Sequence, residues 1–519
     1  MFKGFIVILF IVPLTACISL PDNNSSPSYT LEKSTQSKLV REVEKAHKGL
    51  NLGADQVSVL LLDDGIDAFV ARLSLIKSAQ SSLDLQYYLY HSDLSGGLLT
   101  TALWQAAERG VRVRLLVDDM DLAGKDQNIA MLSAHPNFEV RIFNPFIRGK
   151  NRTGQLVTQF GAVTRRMHNK SFTVDNTLSI LGGRNIGDVY FGADPDVVFG
   201  DLDVAFSGPA VQQVSASFDL YWNNQLSYPI ELLNDYQATE STLNEVSSEL
   251  KKFIAENKTN AYIKALQQNN LVELLKNNEV KQYAGTAVVL YDDPLKIVKD
   301  RSKKEYHLAP QLSPYFKSLK KELVIVSPYF VPGVEGMLFF EELIAKGIEV
   351  KILTNSLKSN DVSVVHAGYS KYRNKLLKMG VKIYEMDSGI LTEKGRINSK
   401  NKKTFNLSGI SKASLHAKYF VLDRRHAFIG SLNLDPRSFN ENTEIGVVID
   451  SRELADDIAA NFDDNVHKIA FELSLQDDQL VWIKLRGNRK TSYYNEPYSS
   501  WWDRFVIGFL RLLPGESQL

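Results

Sequence analysis

Two stretches of the chain, HNKSFTVDNTLSILGGRN from His168 and HAKYFVLDRRHAFIGSLN from His416, align without a gap. In each, Lys follows His by two places, Asp by seven, Gly by fourteen and Asn by seventeen. The matched sets are His168, Lys170, Asp175, Gly182 and Asn185 against His416, Lys418, Asp423, Gly430 and Asn433. This self-similarity constrains the fold more than composition does, because whatever one copy forms the other must also form. A chain of 519 residues also exceeds the usual size of one hydrophobic core, so two related lobes are expected.

The neighbourhood of each copy repeats as well. The apolar runs from Leu83 to Tyr88 and from Leu323 to Pro328 are each followed by a helical pattern ending in Gly110 or Gly347. The β-branched runs VRVRLLVDD and IEVKILTNS come next, and Gly between a helix and such a run marks a helix-to-strand connection. Strand, helix, strand is a unit of a parallel or mixed sheet, so the fold class is α/β. We place the first lobe at 41–232, a mostly helical connector at 233–281 and the second lobe at 282–475. The polar, Lys-rich stretch from Asp387 to Lys412 reads as a loop, either a solvated excursion or a substrate-facing flap.

On a strand, His and Lys two places apart share a face about 7 Å apart. A returning strand brings Asn185 and Asn433 back toward the His-Lys end, as a hairpin must. Two such units packed face to face create an anion site of two imidazoles, two ammonium groups and two amides, which suits a phosphodiester. Phosphoryl transfer needs donors around the nonbridging oxygens, which Lys170, Lys418, Asn185 and Asn433 supply. It also needs a nucleophile and an acid. Imidazoles titrating near pH 6.5 serve as both, one neutral and one protonated, so no metal or cofactor is called for. Carboxylates must fix the imidazole tautomers, and Asp201 in GDLDVAF and Glu444 in NTEIGVVID are the candidates. A lone H-x-K would more often be ordinary strand and turn; two in register favour function. Asp175 and Asp423 complete the candidate catalytic motif, but Asp at a strand end is also a common turn former, so they are expected to support the site. The other seven histidines have no repeat partner and are expected in surface or satisfied polar roles.

The termini add a location. A positive start to Lys3, a short apolar run from Gly4 to Pro13 and then Leu-Thr-Ala-Cys ending at Cys17 read as a signal peptide over 1–16 with a lipobox-like end. Cys17 is the chain's one cysteine, which excludes an internal disulfide and marks it as a lipidation site. Residues 17–40, with PDNNSSPS within them, have the composition of a flexible tether. At the other end, 476–519 carries Trp501, Trp502, Phe505 and Phe509 with Arg504 and Arg511 among them, suiting either an interfacial helix or packing on the body. Sixty Lys and Arg against 60 Asp and Glu give no basic excess, which counts against long nucleic acid as a partner.

The doubled HxKxxxxD resembles the signature of the phospholipase D superfamily, and Gly430-Ser431-Leu432-Asn433 matches its trailing G-S-x-N. Gly183 takes the place of that Ser in the first copy. LSGGLL from Leu94, RRMHNKSFTVD from Arg165, GGRNIGDVYFGA from Gly182, DLDV from Asp201 and NLDPRS from Asn433 are similar to bacterial cardiolipin synthases of the C type. The resemblance implies two phospholipase D-like lobes, each a mixed sheet flanked by helices, packed with pseudo-twofold symmetry. It implies a phosphate contact from Ser431, attack by His168 with a phosphohistidine intermediate, and acid-base work by His416. It further implies transfer of a phosphatidyl group from phosphatidylethanolamine to phosphatidylglycerol at a bacterial envelope membrane, facing the periplasm. Ile18 after Cys17 is similar to outer-membrane sorting signals, whereas cardiolipin synthesis points to the inner membrane. Hydrolysis to phosphatidic acid uses the same residues, while a nuclease or a noncatalytic scaffold fits the doubled, complete motifs less well.

Overall fold

The computed structural model describes residues 19–34, 37–159, 161–194, 196–269, 271, 279–360, 362–389, 412–487 and 489–512. The expected signal peptide, Cys17 and nearly all of the expected loop between Asp387 and Lys412 lie outside the described residues.

The first lobe contributes β1 (Gln56–Leu62), β2 (Ser82–Tyr87), β3 (Arg112–Asp118), β4 (Phe138–Phe143), β5 (Ser171–Val174), β6 (Leu178–Gly182), β7 (Val197–Gly200), β8 (Asp203–Ser207) and β9 (Ser227–Pro229). The second contributes β10 (Tyr283–Tyr291), β11 (Glu322–Val326), β12 (Glu349–Asn355), β13 (Lys382–Met386), β14 (Lys412–Leu415), β15 (Tyr419–Leu422), β16 (His426–Gly430), β17 (Ile445–Asp450), β18 (Ala470–Gln476), β19 (Gln479–Arg486) and β20 (Arg489–Tyr493).

Pairing gives the order β9-β4-β3-β2-β5-β6-β8-β1 in the first lobe. In the second it gives β10-β17-β16-β15-β11-β12-β13-β18, with β19 and β20 continuing beyond. The two halves join where β1 pairs antiparallel with β10, Val57 facing Gly285. Apart from β19 and β20, each strand of this sheet thus has a counterpart at the same distance from the β1–β10 seam, a pseudo-twofold arrangement in one continuous mixed sheet, while β7 and β14 pair with each other in a separate two-stranded sheet. The parallel pairs β2–β3 and β11–β12 are connected by helices Leu94–Glu108 and Gly333–Ala345. Both helices end two residues before a glycine in the left-handed region, Gly110 at φ +91° and Gly347 at φ +77°, where a side chain would strain the turn.

Each lobe has its own apolar core. A third core spans the seam and draws Val57, Val59 and Phe206 from one lobe and Val289, Val447 and Ile449 from the other. In the connector, helices Glu240–Asn257 and Ala261–Gln268 pack on the first lobe, with Val246 and Tyr262 inside its core. Among the described residues no helix is long and apolar enough to cross a membrane.

The stretch expected as a flexible tether is instead strapped across the first lobe. Asn23 Nδ2 donates to the carbonyls of Gln225 and Ser227, both at 3.0 Å. The buried guanidiniums of Arg141 and Arg114 donate to the carbonyls of Ser26 and Ser28, also at 3.0 Å. Asn176 Nδ2 reaches the Leu31 carbonyl. Composition reports that this segment is polar; it does not report that two buried arginines require its carbonyls.

Candidate active site

Within each lobe the parallel strands, β2, β3 and β4 or β11, β12 and β13, end at the edge from which the His-x-Lys triplet enters β5 or β15. Each triplet is held by main-chain bonds to the opposite lobe. The His168 N–H donates to the Thr443 carbonyl at 2.9 Å, and the His416 N–H to the Gly200 carbonyl at 2.8 Å. Thr443 and Gly200 immediately precede Glu444 and Asp201, so each crossing sets a carboxylate beside the other lobe's histidine. His168 Nδ1 lies 2.9 Å from Glu444 Oε2, and His416 Nδ1 lies 2.6 Å from Asp201 Oδ2. All four side chains are buried.

With Nδ1 carrying the proton to a carboxylate, the neutral ring keeps its lone pair on Nε2. Burial, reinforced by Lys170 and opposed by Glu444, lowers the His168 pKa to about 4. Burial and Lys418 lower that of His416 against the pull of Asp201. Burial would raise both carboxyls, yet His416 holds Asp201 and His168 holds Glu444 below the usual range. Burial also holds the Lys170 ammonium well below its usual value. This pocket of poorly solvated cationic groups has a standing deficit that a bound anion would relieve.

Lys170 Nζ donates to the His168 carbonyl at 2.6 Å, and Lys418 Nζ donates to the carbonyl of His416 beside its ring. Asn185 is buried with Oδ1 accepting from Leu89 N–H and Nδ2 donating to the Tyr190 hydroxyl at 2.9 Å. Asn433 is equally buried, but its Oδ1 has no hydrogen-bond partner. Aromatic rings wall the histidines: Tyr88 meets His168 edge-on at 5.0 Å, and Phe199 stacks on His416 at 5.2 Å.

Three expected site residues do other work. Asp175 accepts from the N–H groups of Gln80, Ser81 and Ser82, and Asp423 from those of Lys320, Lys321 and Glu322. Both therefore sit at the sheet edge opposite the histidines, tying the β5–β6 and β15–β16 turns to the start of β2 and β11. Ser431, expected on the phosphate, spends its hydroxyl on Glu444 Oε2. The Gly183 position shows why that serine has no twin: a Cβ there would meet Asp201 Oδ1 at 2.1 Å. One lobe combines a longer carboxylate with a serine, the other a shorter carboxylate with a glycine.

Sequence reasoning missed a further pair. Asp118 accepts from Met167 N–H at 2.9 Å and from Arg166 Nε at 2.8 Å. Its counterpart Asn355 accepts from Leu415 N–H at 3.0 Å, so both clamp the residue before a histidine. They end the aligned runs VRVRLLVD and IEVKILTN, and carrying the repeat comparison one residue beyond the apolar stretch would have found them. Asp292 Oδ2 accepts from Glu444 N–H at 2.8 Å, and burial pushes its carboxyl up to about 6 despite Lys296. The signal was the doublet Asp63-Asp64 after β1, repeated as Asp292-Asp293 after β10. Among the described residues no group of three or more His, Cys, Asp or Glu side chains is arranged to hold a metal ion.

Residues 73–222 and 312–466 match the family described as cardiolipin synthase, PLD-like domain. Cardiolipin synthase C of Escherichia coli (strain K12) is 38% identical over 463 residues, covering 89% of this chain and 96% of that protein. The major cardiolipin synthase of Bacillus subtilis (strain 168) is 24% identical, covering 83% of this chain and 73% of that protein. The crystal structure of phosphatidylserine synthase from Haemophilus influenzae superposes with a TM-score of 0.52 at 15% identity, covering 83% of this chain and 92% of that one, a likeness of fold.

Proposed function

Since the chain belongs to the cardiolipin synthase, PLD-like domain family, we propose that it transfers a phosphatidyl group from phosphatidylethanolamine to phosphatidylglycerol, making cardiolipin. The reading rests on one observation above the others: two buried imidazoles, each oriented by the opposite lobe's carboxylate, share one cation-rich pocket.

In the first half-reaction His168 Nε2 attacks the phosphorus, and the bond to the ethanolamine oxygen breaks. That oxygen takes the proton from His416 Nε2, leaving a phosphohistidine. In the second half, His416 Nε2 removes the proton from a phosphatidylglycerol hydroxyl, whose oxygen attacks phosphorus and breaks the P–N bond. His168 is regenerated neutral and His416 protonated. Glu444 and Asp201 stabilise the charge that each ring carries in turn, while Lys170, Lys418, Asn185 and Asn433 receive the nonbridging oxygens. Cys17 lipidation holds the enzyme on a bacterial envelope membrane, facing the periplasm.

The test is incubation of the purified protein with mixed phosphatidylethanolamine and phosphatidylglycerol vesicles in EDTA, followed by mass spectrometry of the lipids. Cardiolipin is expected from the wild type, none from His168→Ala, and a loss of about 10²–10⁴-fold in His416→Ala. Phosphatidic acid as the only product would replace transfer by hydrolysis, and an equal yield from His168→Ala would remove that residue as nucleophile.

A further inference from the structure

The C-terminal helix Trp501–Leu510 buries one side chain, Ile507, against Leu357 and Ala367. Its aromatic residues face outward: Trp501 is 67% exposed, Trp502 62%, Phe505 51% and Phe509 57%. A capping box at Ser500 and Asp503 starts the helix, and Lys358 binds Asp503 at 2.8 Å, so the exposed aromatics stand on a fixed element. The anchor points locate it. Leu357 and Lys358 lie two and three residues after Asn355, the end of β12 that clamps Leu415 beside His416. The aromatic face therefore stands at the sheet edge where the histidines lie, on the second lobe.

The N-terminal strap reaches the corresponding edge of the first lobe. Asn23 is bound at Gln225 and Ser227, and Ser227 pairs with Phe143 at the end of β4. The strap then runs to Leu31, held by Asn176 at the opposite edge. Chain entry and aromatic helix thus flank the pair of histidines from the two lobes.

We propose that the exposed face of helix Trp501–Leu510 is a docking surface for a phospholipid bilayer, setting the mouth of the site against the lipid. The inference rests on the phospholipid reading above. Tryptophan and phenylalanine on one face suit the headgroup–acyl boundary. Arg504 and Arg511 provide charge complementary to anionic lipid, and the helix's own acid, Asp503, is already neutralised by Lys358.

The experiment uses the full chain carrying Cys17→Ser, so that no acyl anchor contributes, mixed with phosphatidylglycerol and phosphatidylethanolamine vesicles brominated in their acyl chains. The chain has five tryptophans, and Trp104, Trp222 and Trp482 are buried, so contact quenching reports on Trp501 and Trp502. Quenching of the emission is expected. Phe505→Ser/Phe509→Ser should need at least about tenfold more lipid for half-maximal quenching. Its turnover of vesicle lipid should fall in parallel, with turnover of dispersed short-chain phospholipids unchanged. Emission unaffected by brominated lipid, or an unchanged lipid requirement in the variant, would overturn the docking. So would a dimer that the variant dissociates without any quenching, which assigns the face to a second copy. If the wild type turns over neither vesicle nor short-chain lipid, the proposed reaction falls, while quenching still decides the docking.

Discussion

Gly183 and Ser431 occupy the same place in the two copies, and their difference is set by the carboxylate each must accommodate. Asp201 fills the space a Cβ at Gly183 would need, so Gly183→Ala should displace it from His416 and lower kcat by about 10²-fold, with little change in thermal midpoint. Ser431→Ala is milder in shape but removes the hydroxyl from Glu444. The lowered imidazole pKa values have a kinetic consequence. Catalysis requires one neutral and one protonated ring, and kcat/KM reports the free enzyme, where burial lowers both histidines from 6.5. As pH rises, the needed proton leaves the free enzyme below the ordinary imidazole value. The kcat/KM profile should therefore peak on the acid side of 6.5, whereas kcat, read with an anionic phosphodiester bound, should peak at higher pH. Coincident profiles would contradict this. The reactive residues were legible because a repeat singles out positions that no single copy distinguishes. Which carboxylate serves which ring was not, because that depends on crossings between lobes far apart in sequence.

The hairpins β5–β6 and β15–β16 show how an element can be read correctly while one of its residues is assigned two roles. Their turns put Asp175 and Asn176, or Asp423 and Arg424, at positive φ, and the aspartates bridge to the strand beside them. Asp175→Ala leaves three N–H groups without their acceptor. It should destabilise the protein by about 3 kcal/mol, seen as a lower thermal midpoint, while kcat of the folded fraction stays within about twofold. A fall in kcat with no loss of stability would return Asp175 to the chemistry. Alternation and turn chemistry are local, so the strands and glycine-terminated helices were visible in the sequence. The strap from Asn23 to Leu31 was not, since its order derives from Arg114, Arg141 and Asn176, partners on elements that the local sequence does not mention.

At the scale of the molecule, reciprocal exchange means that neither lobe owns a complete histidine site. An activated phosphodiester with a p-nitrophenolate leaving group needs no acid, and so separates attack from release. With it, Asp201→Asn in the first lobe should still show a burst and accumulate a covalent adduct on His168, because the ring it impairs is His416 of the second lobe. Glu444→Gln in the second lobe should show no burst, because the ring it impairs is His168. The opposite pattern would exchange the roles of the histidines. The β1–β10 seam makes this crossing permanent by running one sheet through both lobes. A lobe that met an identical copy of itself along the same seam would carry the same carboxylate and the same small residue on both sides, and any change on one side would be forced on the other. Covalent fusion lifts that obligation. Glycine with aspartate on one side and serine with glutamate on the other record its use, and a chain so built can specialise one histidine for attack and the other for proton traffic, a division of labour that identical halves could not inherit.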